Sequence, residues 1–330
     1  MSDEENAKQV RAGYLYGLVA YTIWGLIPLY FSQVKTVPPQ EILSHRIVWS
    51  LGIMLLLVVV TGTGSELIRV MTSLRLLATL TLSSLLLATN WLLYIYATVN
   101  NRVSEASLGY FMMPLVNTFL GSVFLKEKLR PLHYPALACV VVGILIPVLA
   151  GSPFTWLAVV LPISFGCYGC VRKAAPVDSL TGLTVETIIL TVPSAAYLLW
   201  QKSQGEGRFL VDTHDSLWLM LGGIATVLPL LTYTLSIRRL PLIAMSFIQF
   251  LSPTIQMLMA VAILHEDVRW ERWAAVGCVL VAVAIFLGDA VIQNRRKRNA
   301  VRRVVISSNE ESVAMASGHA RSMPTSSSTN

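Results

Sequence analysis

Two stretches of this chain repeat one another at a constant offset of 139 residues. Residues 108–131 form an apolar run broken by Pro114 and closed by Lys126-Glu127-Lys128. Residues 245–270 repeat that plan, with Pro253 for Pro114 and Glu266 for Glu127. Ser107 and Ser246 stand at the same offset, as do the amides Asn117 and Gln256. A repeat this long makes each half of the chain one structural unit. In an apolar chain it points to a protein that moves something across a membrane.

Composition sets the solvent. Of 330 residues, 55% are hydrophobic and 13% charged, and the mean hydropathy is +0.64. That leaves too few charges to cover a soluble domain of this size. A helix needs ~20 apolar residues to cross the hydrocarbon, and ten stretches qualify: 13–32, 42–61, 74–98, 106–125, 133–150, 154–171, 180–199, 216–236, 242–264 and 273–292. The expected fold is therefore an all-α polytopic membrane protein of ten transmembrane helices. Residues 1–12 precede the first run directly, so that run reads as a membrane helix and not a cleaved signal.

The net charge of +7 does not indicate a nucleic-acid partner, because the basic residues fall in short loops. Lys8, Arg11, Arg69, Arg75, Arg172, Arg238 and the basic cluster from Arg295 share one side. The side richer in Lys and Arg is expected in the cytoplasm, with both termini. Five helices per half is an odd number, so the second half (151–292) enters from the face opposite the first (13–150), and the repeat is inverted. The echoed knots agree: Lys126-Glu127-Lys128 inside is basic, His265-Glu266-Asp267 outside acidic. From residue 293 the chain turns basic and then Ser-rich. This tail is expected to be disordered, its basic part resting on anionic headgroups of the bilayer.

Polar side chains inside a bilayer need a reason. The cavity candidates are Trp24 in the first stretch, His45 and Arg46 in the second, and Asn90, Trp91 and Tyr94 in the third. Tyr110 and Asn117 follow in the fourth, Glu186 in the seventh, Tyr233 in the eighth, and Gln249 and Gln256 in the ninth. Pro114 and Pro253 are expected to bend their helices, since proline removes one backbone bond. Arg46 and Glu186 invite an ion pair, but each lies ~9 Å inside opposite faces at 1.5 Å per residue. In a core ~30 Å thick that leaves ~12 Å between them, so each is expected to serve one face. Glu41 or Glu105 are the nearest partners for Arg46, and Arg238-Arg239 for Glu186. Arg46 snorkelling to outer headgroups and His45 as a structural histidine stay open beside the cavity role. Amides that cross-link helices are an equal reading for Asn117 and Gln256.

Small residues recur in the fifth stretch (Ala136, Ala138, Gly143) and the tenth (Ala274, Cys278, Ala282). That spacing permits close packing and marks scaffold or a dimer surface, so monomer and homodimer both remain. Cys167 and Cys170 have redox spacing, but inside an apolar run they read as packing. No phosphate-binding loop, HExxH or GxSxG motif occurs, so neither nucleotide hydrolysis nor enzymatic catalysis is expected. No cofactor or metal is implied.

The segments AYTIWGLIPLYF, VPPQEILSHRIVWS, NWLLYIYATVNNRVSEASLGYFMMPLVN, KEKLRP, APVDSLTGLTVET and FIQFLSPTIQ together resemble the RarD branch of the EamA-type transporters, in the drug/metabolite transporter superfamily. The resemblance covers all ten stretches and leaves out the tail. It implies two inverted five-helix repeats around a cavity lined by helices 1–4 and 6–9. It also implies secondary transport of small organic solutes, often export. The residues themselves place such a carrier in the cytoplasmic membrane, with protons as a partner through His45 or Glu186 and facilitated exchange as the open alternative. The RarD name carries an association with chloramphenicol sensitivity. One departure is the pair Cys167 and Cys170, in a helix that the resemblance places on the cavity.

Overall fold

The computed structural model describes residues 3–100, 103–151, 156–262, 269–271, 273–289 and 291–293. The acidic knot at 265–267 and the tail beyond residue 293 lie outside them. Every regular element among the described residues is a helix. Without water in the hydrocarbon, a segment must satisfy its backbone internally, and the helix does so.

The helices are α1 (Asp3–Gln33), α2 (Pro39–Thr61), α3 (Gly64–Thr72), α4 (Leu74–Val99), α5 (Val103–Val123), α6 (His133–Leu149), α7 (Trp156–Ala174), α8 (Ser179–Ser203), α9 (Thr213–Ile237), α10 (Leu242–Ile248) and α11 (Leu251–Ala262). A twelfth, α12, covers Trp273–Gln293. Among the described residues seven helices are long and apolar enough to cross a membrane: α1, α2, α4, α7, α8, α9 and α12. Shorter apolar stretches cover Met112–Val123, His133–Leu149 and Leu242–Gln256, the last running from α10 across a two-residue interruption into α11. Val59, Val192 and Leu56 stand well exposed on spanning helices, as expected of a surface facing lipid. The chain is thus an all-helical, multi-pass membrane protein.

Local chemistry fixes the ends. Pro38 and Pro39 open α2, since proline suits a first turn whose N–H groups are unpaired anyway. Gly62 closes it in the left-handed region, φ 68°, donating to the Val58 and Val59 carbonyls. The Asp178 carboxylate accepts the Leu180 and Thr181 N–H groups at 2.8 and 3.0 Å and caps α8. Asp178 lies outside the spans. Burial pushes its carboxyl up, but bonds from Thr181, Leu180 and Glu66 outweigh that and hold it below its ordinary value.

The short α3 has no counterpart in the apolar pattern. Leu67 on α3 packs on a buried cluster of Val70, Leu80, Val177 and Val185, which fastens it to α4 and α8.

The main packing pairs join helices before residue 150 to helices after it: α1 with α9 and α11, α2 with α8 and α9, α4 and α5 with α7. Gly223 is one reason α2 and α9 come close, since a Cβ there would stand 2.8 Å from the Trp49 backbone. Two carboxylates tie the same groups of helices together at loops. Glu127, beyond α5, accepts the Leu242 and Ile243 N–H groups at 2.7 and 3.1 Å and pairs with Lys173 at 3.3 Å. Glu41, in α2, accepts the Arg208 and Phe209 N–H groups and the Gln201 amide. At α6, Gly143 faces Ala275 and Cys278 of α12, where a Cβ would lie 3.3 Å from both. The small residues of these two helices do pack on each other.

Candidate functional site

The helices enclose an aromatic cavity. Trp24, Trp91, Tyr94 and Tyr110 form part of its wall, and Arg46, Asn90, Gln249 and Gln256 supply polar groups. These are eight of the twelve residues singled out from sequence. Tyr21, Ile27, Phe31, Phe165 and Ser252 complete the lining. Its volume is about 60 Å³, enough for a few waters at ~15 Å³ each. A larger solute must therefore displace side chains as it enters.

The rings hold one another edge to face. Trp24 meets Tyr21 at 5.4 Å and Phe165 at 5.6 Å, and Tyr94 meets Tyr110 at 5.7 Å. Such contacts stabilise beyond area burial alone. The amides bind backbone across helices. Asn90 donates to the Leu161 carbonyl at 2.8 Å and Gln256 to the Trp24 carbonyl at 3.1 Å. Gln256 thus both cross-links helices and lines the cavity, joining two readings that sequence leaves as alternatives.

The wall containing Gln249 is a broken helix. Pro253 has no N–H to give the Gln249 carbonyl four residues back. The Ser252 N–H bonds that carbonyl instead, at 3.0 Å. The helix stops at Ile248 and restarts at Leu251, and Gln249, Ser252 and Gln256, at the spacing of one helix face, line the cavity. Pro114, its echo, sits inside the unbroken α5.

Arg46 is 3% exposed. Its Nε donates to Thr226 Oγ1 at 2.9 Å. The guanidinium carbon lies 5.0 Å from the Trp91 ring centre and 5.5 Å from that of Phe31, within cation–π range. Glu41 binds loop backbone instead of Arg46, and the Glu105 side chain lies outside the described residues.

Four candidates lie elsewhere. His45 stands 4.0 Å from Glu41, one helical turn away, with its ring 4.6 Å from Phe209 under the loop. Asn117 is buried against Gly166 on α7, where a Cβ would stand 3.0 Å from its Oδ1. Tyr233 packs behind Phe165 at 5.0 Å. Glu186, 1% exposed, lines a smaller cavity of about 10 Å³ that shares Trp91 with the larger one.

Glu186 does not meet Arg238 or Arg239. Arg238 donates to the Ala175 and Val177 carbonyls, and Arg239 to Gln9 and the Leu235 carbonyl. The partner of Glu186 is Arg172 at 3.4 Å, both 1% exposed, with Ser83 donating to the same carboxylate. A Cβ at Gly182 would run into the Arg172 guanidinium, so glycine makes its room. Arg172 reads in sequence as one more loop cation. The usable signal is the four-residue turn between α7 and α8, which leaves the long Arg172 side chain within reach of the start of α8, where it also meets the Asp178 and Ser179 carbonyls.

Among the described residues one group has metal-ligand spacing, Asp212, His214 and Asp215. There Asp212 already accepts the Asp215 N–H and caps α9.

A buried aromatic cavity crossed by a broken helix, in a multi-pass helical protein, is the architecture of a membrane carrier. The sequence model of the EamA-like transporter family matches residues 11–149 and 154–288, and the chain belongs to that family, in the drug/metabolite transporter superfamily and its RarD branch. It is 37% identical to protein RarD of Salmonella typhi, over 88% of this chain and 100% of that one. An uncharacterized transporter of Pseudomonas aeruginosa is also 37% identical, over 87% and 97%. The chloramphenicol-sensitive protein RarD of the same organism is 28% identical, over 83% and 92%. A solved crystal structure of a protein shares the fold with a TM-score of 0.65 at 17% identity, covering 84% of this chain and 97% of that chain.

Proposed function

We propose that this protein is a secondary transporter that moves a small organic solute, a metabolite or drug-like compound, across the cytoplasmic membrane by alternating access, in the direction of export. The supporting observation is the aromatic and amide cavity at the break between α10 and α11. Broken helices carry binding sites in carriers built from inverted repeats. On this reading the ten apolar stretches span the bilayer as two inverted five-helix repeats, 13–150 and 151–292, with both termini in the cytoplasm. The tail rests its basic residues on anionic headgroups.

The lining favours this reading over a sensor or scaffold, since a scaffold has no use for polar groups around an internal space. The test is reconstitution in liposomes and flux of labelled metabolites and chloramphenicol, with and without a pH gradient. Saturable flux that falls at least tenfold in Trp91→Ala or Gln249→Leu is the expected outcome. Flux unchanged by both substitutions overturns the cavity as the route.

A further inference from the structure

Arg46 stands apart from the other deeply placed cations. Arg172 has the Glu186 carboxylate at 3.4 Å, and Lys173 has Glu127 at 3.3 Å. Among the described residues no carboxylate pairs with Arg46. Its one hydrogen bond uses Nε. Among the described residues its terminal nitrogens have no hydrogen-bond partner. Arg46 lines the cavity. Phe31 and Trp91 hold the guanidinium plane in place without neutralising its charge.

A buried positive charge needs a negative partner. Among the described residues the rest of the lining offers none: amides at Asn90, Gln249 and Gln256, hydroxyls at Tyr21, Tyr94, Tyr110 and Ser252, and apolar groups elsewhere. We infer that the missing partner is the solute, and that the cavity takes organic monocarboxylates with an apolar body, the carboxylate on the free edge of Arg46. The planar fork of two N–H donors fits a carboxylate with two parallel bonds. With no second cation in the lining, dicarboxylates and phosphate esters are excluded. With no carboxylate there, a solute carrying only positive charge is excluded too. The aromatic wall takes the apolar body. A simple acid and a zwitterionic amino acid share this carboxylate, and the test separates them.

This inference rests on the carrier reading, so binding is measured apart from flux. Phenylacetate, isovalerate, phenylalanine and leucine are each titrated beside the primary amide of the same compound. Titration calorimetry on the purified full chain in detergent reads the affinities. At least one acid binds tenfold or more tighter than its amide, and Arg46→Gln removes that preference while Arg46→Lys keeps part of it. Preference for the acids lacking an α-amino group identifies simple acids, and the reverse identifies amino acids. If no acid binds better than its amide, or Arg46→Gln keeps the preference, the inference fails. Should Arg46→Gln not fold, the wild-type and Arg46→Lys titrations still decide it. Acid binding without flux in liposomes sinks the carrier reading alone. Flux of a neutral solute that Arg46→Gln leaves unchanged sinks the carboxylate site alone.

Discussion

Arg172 and Glu186 show how one buried residue depends on another. Both are 1% exposed, so each was stripped of water and is compensated by its partner. Removing one half of such a pair costs about 3–5 kcal/mol, whereas replacing both with apolar groups is often near neutral. Arg172→Met is expected to lower unfolding stability in detergent by that amount. Adding Glu186→Leu is expected to recover most of it, read by thermal or denaturant unfolding. Equal losses in the single and double variants would count against the pair as the source. Arg46 falls outside this logic, because its partner is not supplied by the described chain. The sequence marks Arg46 and Glu186 as unusual, and no ion pair joins them. It cannot show that Arg172, at the end of an apolar run, reaches across the following turn to α8.

At the scale of the element, Pro114 and Pro253 begin as equals in sequence and end differently. α5 runs through Pro114, while the helix holding Pro253 is broken at Gln249 and Phe250. Restoring the N–H by Pro253→Ala lets that helix close. The expected result is higher thermal stability, by up to about 3 kcal/mol, together with slower flux, because the break is then no longer a hinge beside the cavity. A variant that is more stable and equally fast would separate the break from function. Most elements were legible because apolar runs of membrane length are a strong signal. The α3 helix was not, because nine residues with Glu66 and Arg69 among them carry no such run. The surroundings of His45 follow from helix geometry. A histidine one residue from Arg46 shares its depth, but the helix turns it ~100° away, toward Glu41 and Phe209.

For the whole molecule, the charge pattern predicts an orientation. A fluorescent protein fused after residue 330 is expected to mature, as it does only in the cytoplasm on this reading. A cysteine placed at Gly205 is expected to react with an impermeant maleimide from outside intact cells. Labelling at Gly205 only after the cells are opened would invert the topology. The cavity itself was readable in part. The sequence named eight of its wall residues, but Phe31, Phe165 and Ser252 are ordinary residues in apolar stretches. Only the packing of α1, α7 and α11 around a shared space gives them a role.

The Glu127 carboxylate reaches from the first half of the chain to the start of α10 in the second, and Glu41 reaches from α2 to the loop before α9. A gene fragment encoding either half alone would therefore make a protein with a helix end uncapped or a carboxylate unmatched. Such ties leave the two halves little freedom to drift separately. A change at Glu127 is felt at Leu242, more than a hundred codons away, and selection then acts on both as a single inherited unit.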